Sequence, residues 1–255
     1  MIAQWRIAAL GALGGAAIAV VIVFGAAALG LLPRAGAIDG PKLNAYLLSH
    51  PGLVQDMMAR LQADQEATAD RAQQSAVRSI GLKTYFDPKY AFVTGPVHAK
   101  ASLVEFYDYD CPYCRASLPA VMKFYNAHKN DTRFSFIELP IPSLHGPSAL
   151  LAARASLAAR HQPDKFVAFH FLLMGEQGAI TEEAVYADAA QCGLDLAKLK
   201  LDMASAEIDA QISAAQALSR RTKIDGTPTF IFNGRLRAGA VDDDSLRDLM
   251  AGKAI

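Results

Sequence analysis

The chain has 255 residues, of which 52% are hydrophobic and 20% are charged, and its 25 basic residues balance its 25 acidic residues. This composition is typical of a globular protein with one domain and an appendage, or with two small domains. A balanced charge without long runs of one sign argues against a surface that binds nucleic acid. Three cysteines are too few for a small scaffold held together by disulfides.

Residues 1–37 predict an export segment. No charged residue occurs from Ile7 to Leu32, and this run exceeds the roughly 20 residues that a membrane-spanning helix needs. Two interpretations stay open. The segment is either an uncleaved single-pass anchor or a signal peptide cleaved near Ala37, because Ala35-Gly36-Ala37 resembles an A-x-A cleavage site. Both interpretations export the rest of the chain.

Residues 38–86 predict a helical extension. An apolar stripe with helical spacing runs over 43–61, and Pro51-Gly52 divides it into two helices. From Ala63 to Ser79 the sequence still favours a helix, but it offers little apolar surface beyond alanines and Val77. Two roles stay open for the extension: a spacer, or a surface for homo-oligomerisation formed by the 43–61 stripe.

Residues 87–255 predict an α/β domain. Strands are expected at 91–95, 102–107, 133–139 and 229–232, and Asn233-Gly234 predicts a tight hairpin to a further strand. Helices are expected from about Cys111 to His128 and after Asp242–Asp244. A long helical stretch is expected over 146–222, with breaks at Gln162-Pro163, at 175–178 and at Gly193. A β-α-β unit followed by a β-β-α unit predicts a thioredoxin-like fold, with a helical subdomain inserted at about 143–217.

The motif DYDCPYC, 108–114, holds the candidate reactive pair, Cys111 and Cys114. A zinc site would need a second pair of ligands, which neither Cys192 nor the histidines supply at a suitable spacing. A purely structural disulfide would close too short a loop to stabilise the fold much. A strand before Cys111 and a helix after it place its sulfur at a helix N-terminus, where N–H groups favour a thiolate. Cys114, nearly one turn later, can then resolve a mixed disulfide.

The stretch EFYDYDCPYC, together with IDGTPTF at 224–230, resembles the DsbA family of thioredoxin-fold thiol–disulfide oxidoreductases. The resemblance covers about residues 91–250. It implies that Pro228 follows a cis bond, faces the cysteine pair, and leaves the Thr227 backbone free to bind an extended substrate. It also implies that Glu105 is a buried acid that exchanges protons with Cys114, the alternative being a side chain that points outward from a strand edge.

We also make predictions for four side chains in or near the motif and for one distant cysteine. Pro112 and Tyr113, between the two cysteines, are expected to tune the redox potential and to contact substrate. Tyr107 and Tyr109 could form an aromatic rim for unfolded substrate or belong to the core. Cys192 is expected to be a buried filler rather than a third redox partner.

The resemblance implies an exported enzyme on the periplasmic side of a bacterial inner membrane. Its redox centre would be the Cys111–Cys114 disulfide, with no other cofactor and no metal. Expected partners are unfolded or cysteine-containing exported proteins and a membrane protein that re-oxidises or re-reduces the pair. Oxidase, isomerase and dedicated reductant of one partner stay open, and assembly through 43–61 would resemble ScsC-like isomerases. The alternative from another class is a chaperone or assembly factor without redox turnover.

Overall fold

The computed structural model describes residues 39–252. The predicted export segment, 1–37, lies outside the described residues, so the choice between a membrane anchor and a cleaved signal peptide stays a prediction. Within residues 39–252, no helix combines the length and the apolar character that crossing a bilayer requires. The described part consists of helices that precede the sheet and of an α/β domain.

A five-stranded mixed sheet forms the centre of the α/β domain. Its strands are β1 Ala91–Thr94, β2 Ala101–Tyr107, β3 Thr132–Glu138, β4 Thr229–Phe232 and β5 Arg235–Ala238. In space they are ordered β1-β3-β2-β4-β5, with β2 parallel to β3 and the other neighbours antiparallel. Asn233 and Gly234, between β4 and β5, have φ values of 47° and 81°, as the predicted hairpin turn requires. The predicted thioredoxin-like arrangement is confirmed.

Helices pack on both faces of the sheet. Those in the described range are α1 Gly40–Ser49, α2 Pro51–Ile80, α3 Pro112–His128, α4 Pro142–His145, α5 Ser148–Ala159, α6 Pro163–Met174, α7 Glu182–Gln191, α8 Leu196–Met203, α9 Ala206–Thr222 and α10 Asp243–Met250. A short 3-10 helix, Leu82–Phe86, precedes β1. Side chains alternate between the faces of each strand. Leu103 and Tyr107 therefore pack with α3 and the inserted helices, whereas Val104 and Phe106 pack with α9 and the end of α2.

The helical insertion corresponds to α4–α9 and shows one break that the sequence analysis missed. The expected breaks near Gln162-Pro163, at 175–178 and at Gly193 all separate helices. The additional break is at Ser205, whose hydroxyl accepts a hydrogen bond from the backbone N–H of Ile208 and caps α9. Helix α9 also continues past the predicted end of the insertion at 217, because its last turns belong to the sheet core.

The extension consists of two helices separated at His50, as the Pro51-Gly52 pair predicts. Residues 39–65 contain no buried residue, and the apolar side chains of the 43–61 stripe are all exposed or half-exposed. The second compact unit begins at Glu66, within α2. The boundary between the two compact units thus lies inside α2.

The last turns of α2 join the α/β unit through contacts that apolar periodicity does not reveal. Val77 is 1% exposed and belongs to the core on the second face of the sheet. Gln73 donates a hydrogen bond to the Lys223 carbonyl oxygen at 2.7 Å. Gln74 donates to the Gly234 carbonyl oxygen and accepts from the Leu236 N–H, both at 2.8 Å, so it occupies the outer edge of β5. Two glutamines therefore anchor a segment in which the sequence offers few apolar residues.

Candidate active site

The CPYC motif lies where β2 ends and α3 begins. Cys111 is the N-cap residue of α3, with extended backbone angles (φ −75°, ψ 118°), and Pro112 occupies the first turn. A proline suits this position because its fixed φ fits a helix and its missing N–H costs no helical bond. The local sequence thus ends the strand, caps the helix with a cysteine and places that cysteine's sulfur beside free N–H groups, as predicted.

The surroundings of Cys111 stabilise its thiolate. Its pKa falls from 9.0 to about 5, chiefly through a hydrogen bond from the Cys114 thiol. Burial opposes this shift, while Thr227 and the backbone N–H groups of Cys114 and Tyr113 add to it. In the thiol form, Sγ donates to the Thr227 carbonyl oxygen at 3.1 Å. Cys111 is only 1% exposed, so its sulfur lies in a covered position at the helix end.

The thiol of Cys114 is less acidic than an ordinary thiol. It lies one turn further along α3, is 1% exposed and is a free thiol, like Cys111. Burial raises its pKa well above the ordinary value, and its hydrogen bond to Cys111 and the charges of Cys111 and Glu105 raise the pKa further. The acidic thiol of Cys111 suits a nucleophile, and the buried thiol of Cys114 is placed to resolve a mixed disulfide once it loses its proton.

The loop before β4 faces the cysteines. The Thr227–Pro228 peptide bond is cis, as the resemblance implied. Thr229 pairs with Phe106 of β2, so the start of β4 lies beside the end of β2, and this register brings Thr227 to Cys111. The Thr227 hydroxyl is buried and has no hydrogen bond of ordinary geometry within residues 39–252, but Thr227 lies close enough to the Cys111 sulfur to help lower its pKa.

Glu105 points inward from the central strand β2. Its neighbours across the sheet are Phe136 on β3 and Phe230 on β4, and it is 4% exposed. Burial raises its pKa from 4.5 to about 8. Its Oε2 has no hydrogen-bond partner among the described residues. The alternative of an outward-pointing side chain on a strand edge is wrong.

The two residues between the cysteines are on the surface. Pro112 and Tyr113 are exposed, Tyr113 by 65%, so both can contact a substrate that approaches Cys111. Tyr107 and Tyr109, by contrast, are both 0% exposed and belong to the core beneath the motif, which excludes the aromatic-rim alternative. Cys192 is half-buried at the edge of the same core rather than fully buried.

Two carboxylates that the sequence analysis did not single out hold the turn before Cys111. Asp108 accepts hydrogen bonds from the Ile141 N–H and from His145 Nδ1, both at 2.8 Å. Asp110 pairs with Arg115 at 2.9 Å and accepts from the backbone N–H of Ile180. The sequence offered only a weak signal, since acids are frequent in turns.

A second buried acid lies on the neighbouring strand. Glu138 on β3 pairs with Tyr107 on β2, is 1% exposed, and has its pKa raised to about 8 by burial. Neither of its carboxylate oxygens has a hydrogen bond of ordinary geometry within the described range. The signal that revealed Glu105, a single acid inside an apolar strand, is also present in RFSFIEL and could have revealed Glu138.

Comparisons with known proteins agree with this geometry. The family model described as thioredoxin matches residues 88–251. A thioredoxin-like oxidoreductase from Silicibacter pomeroyi is 38% identical over 67% of this chain and 96% of its own, with a TM-score of 0.58. The thiol-disulfide exchange protein alpha-DsbA2 from Wolbachia pipientis is 25% identical over 72% of this chain and 96% of its own, with a TM-score of 0.63.

Two further similarities are to an ScsC protein and to part of a sodium/proton antiporter. Proteus mirabilis ScsC in a transitional conformation is 26% identical over 82% of this chain and 92% of its own, with a TM-score of 0.60. The Na(+)/H(+) antiporter NhaA 1 of Salinispora arenicola is 32% identical over 66% of this chain. The match spans only 25% of the antiporter's length.

Proposed function

We infer the function from one premise: the chain belongs to the thioredoxin family, in its DsbA branch. We propose that the protein is a thiol–disulfide oxidoreductase acting on cysteine-containing exported proteins. The observation that carries this proposal is the contrast between the two thiols of the CPYC motif. The pKa of Cys111 is lowered to about 5, whereas the pKa of Cys114 is raised.

Cys111 is the nucleophile in this proposal. Its thiolate attacks one sulfur of a substrate disulfide, the substrate S–S bond breaks, and the other substrate sulfur leaves as a thiolate. Cys114 then attacks Cys111 Sγ, forms the Cys111–Cys114 disulfide and releases the second substrate thiolate. Two electrons pass from the protein to the substrate. The reverse sequence transfers the disulfide to a substrate dithiol, and the protein's own cysteine pair is the only redox group needed.

Glu105 accepts the proton of Cys114 in the resolving step. Once Cys111 is held in a mixed disulfide, its negative charge no longer opposes ionisation of Cys114. Because burial raises the pKa of Glu105 to about 8, a minor fraction of this carboxyl group is ionised at neutral pH, and that carboxylate can take up the proton of Cys114. Its electrostatic influence on the pKa of Cys114 indicates that the two groups are near each other.

Thr227 and Pro228 form the docking edge for substrate. The Thr227 carbonyl oxygen is 3.1 Å from Cys111 Sγ, so a peptide that pairs with this backbone would bring its own sulfur to the nucleophile. Pro112 and Tyr113 provide exposed apolar surface beside the same sulfur. Because Cys111 is covered, substrate binding should shift the Thr227 loop.

The acidity of Cys111 supports the oxidising direction. A thiolate stabilised to a pKa of about 5 makes the reduced protein more stable than a protein with an ordinary thiol, and the disulfide form is then the better oxidant. We therefore propose an oxidase, kept oxidised by a membrane protein on the periplasmic side of the bacterial inner membrane. The export segment at 1–37 would serve as the anchor, or be cleaved near Ala37.

The exposed stripe of the extension is proposed as a self-association surface. Tyr46, Met57, Met58 and Leu61 are each more than half exposed, and they lie within one segment, 43–61. Such a concentration of exposed apolar side chains is typical of a surface that another protein covers. A second copy of the chain would present the same stripe and bury both.

The test compares Cys111→Ser and Cys114→Ser in an assay that oxidises reduced, unfolded ribonuclease, with oxidised glutathione as the source of oxidising equivalents. Cys111→Ser should abolish attack, whereas Cys114→Ser should accumulate mixed disulfides with the substrate. Cys192→Ala serves as the matched control and should retain activity. An equal loss in both active-site variants without trapped mixed disulfides would contradict the assigned roles. A wild-type pair found mostly reduced in living cells, by acid quenching and thiol alkylation, would replace the oxidase by an isomerase or reductase.

A further inference from the structure

A buried hydrogen-bonded cluster joins the active-site turn to the inserted helices. We propose that Tyr109 is a positioning residue for thiol–disulfide exchange, because its hydroxyl ties the turn that carries Cys111 to α5 and α6 and thereby controls the reactivity of that cysteine. This inference deepens the proposed function and rests on it. Tyr109 lies two residues before Cys111, in the turn between β2 and α3, and is 0% exposed.

The hydroxyl of Tyr109 both donates and accepts a hydrogen bond. It donates to Ser156 Oγ on α5 at 2.9 Å, and it lies 2.9 Å from His170 Nδ1 on α6. A tyrosine hydroxyl carries one hydrogen, so a hydroxyl that donates to Ser156 must accept from His170. The imidazole therefore carries its hydrogen on Nδ1. Burial lowers the pKa of His170 from 6.5 to about 3, so the ring is neutral and this arrangement holds over the physiological range.

Burial isolates the cluster from solvent. Glu138 on β3 and Arg160, at the end of α5, both influence the pKa of the Tyr109 hydroxyl, which burial raises well above its ordinary value. Arg160 is held by the carbonyl oxygens of Tyr90 and Phe136, each at 3.2 Å. Tyr109 thus stays a neutral hydrogen-bonding group. Its hydroxyl cannot exchange its two partners for water without opening the core.

The residues on either side of Tyr109, Asp108 and Asp110, bond to other parts of the fold. Asp108 bonds to the segment after β3, and Asp110 bonds to Arg115 and to the loop before α7. The Tyr109 backbone carbonyl accepts a hydrogen bond from Arg115 Nε at 2.7 Å. The side chain of Tyr109 adds the link to α5 and α6. The turn is therefore fixed from three directions immediately before the nucleophile.

The position of this turn matters because the acidity of Cys111 depends on short contacts. Its thiolate is stabilised by the Cys114 thiol, by Thr227 and by two N–H groups of the first turn of α3. Hydrogen bonds weaken steeply with distance and misalignment. A loosened turn would lengthen these contacts and move the pKa of Cys111 back toward its ordinary value.

Tyr107 provides a matched control in the same cluster. Its hydroxyl lies 3.2 Å from Ser156 Oγ, so Tyr107→Phe also removes one buried hydroxyl from this cluster. However, Tyr107 belongs to β2 and is held by the ladder with β3, where it pairs with Glu138 and its carbonyl oxygen accepts from the Leu139 N–H. The loss of its hydroxyl should cost stability without displacing Cys111.

The experiment measures the rate of alkylation of Cys111 against pH in the full chain, with Cys192→Ala as background. Tyr109→Phe should raise the midpoint by about half a pH unit or more, which is roughly a threefold change in the ionisation constant. Tyr107→Phe should leave the midpoint within about 0.2 units of the wild type. An unchanged midpoint in a folded Tyr109→Phe variant, or equal shifts in both variants, would overturn the proposal.

A second variant covers the case in which Tyr109→Phe does not fold. Ser156→Ala removes the acceptor of the Tyr109 hydroxyl while retaining both tyrosine rings, and it should shift the midpoint in the same direction. An unshifted Ser156→Ala variant would overturn the proposal as well. The alkylation profile needs no protein substrate. A wild-type protein without exchange activity would therefore refute the proposed function, whereas the comparison of alkylation midpoints would stay valid.

Discussion

Replacing Glu105 by glutamine should stabilise the reduced protein in a pH-dependent way. The pKa of this carboxyl group is 4.5 when exposed and about 8 in the folded protein, because burial disfavours its charged form. Between these values the unfolded chain ionises Glu105 and the folded chain does not. The free energy of unfolding therefore falls by about 1.4 kcal/mol per pH unit as the pH rises from 4.5 towards 8. At pH 7 the loss is about 3 kcal/mol, and Glu105→Gln removes it.

The assay is urea unfolding of wild type and Glu105→Gln under reducing conditions at several pH values from about 4 to 8. The difference in unfolding free energy should be constant below pH 4.5, rise through the neutral range, and level off above the folded pKa of about 8. Any pH-independent effect of the amide adds only a constant offset. A difference that does not change with pH would refute the reasoning.

A catalytic measurement and a control complete this test. If Glu105 accepts the proton of Cys114, the same variant should slow the resolution of mixed disulfides while leaving the first attack by Cys111 unchanged. The control Glu183→Gln alters an exposed glutamate at the start of α7, and it should leave the unfolding free energy within about 0.5 kcal/mol of the wild type.

Three further predictions concern other parts of the molecule. Cys114→Ala should raise the pKa of Cys111 by about one unit or more, measured by thiolate absorbance, since the Cys114 thiol is the main cause of its lowering; an unchanged pKa would contradict this. Met58→Glu with Leu61→Glu should reduce the mass measured by light scattering if the 43–61 stripe associates; a wild type that is already monomeric at high concentration would remove that idea. Val77→Ala should cost about 2 kcal/mol of unfolding free energy, whereas Met58→Ala should cost almost nothing.

Local sequence was sufficient to predict most of the strands and helices and the candidate reactive motif. Short runs rich in aromatic and β-branched residues mark β1 to β4, Pro112 marks the start of α3, and Asn233-Gly234 marks the hairpin to β5. Each of these signals acts over a few residues. The CPYC spacing follows from the same local rule: two thiols three residues apart at a helix start lie on one side of the helix. The nucleophile and the resolving cysteine could thus be assigned before their surroundings were known.

Tertiary structure decided what surrounds these elements. Gln73 and Gln74 join the end of α2 to the α/β unit by bonding to backbone groups about 150 residues away in the chain, and no periodic pattern encodes such a partner. Tyr109 meets Ser156 and His170 only because the inserted helices pack over the active-site turn. The sequence by itself predicted a candidate reactive pair of cysteines and where most strands and helices lie. Burial, which depends on segments distant in the chain, raised the pKa values of Glu105 and Cys114.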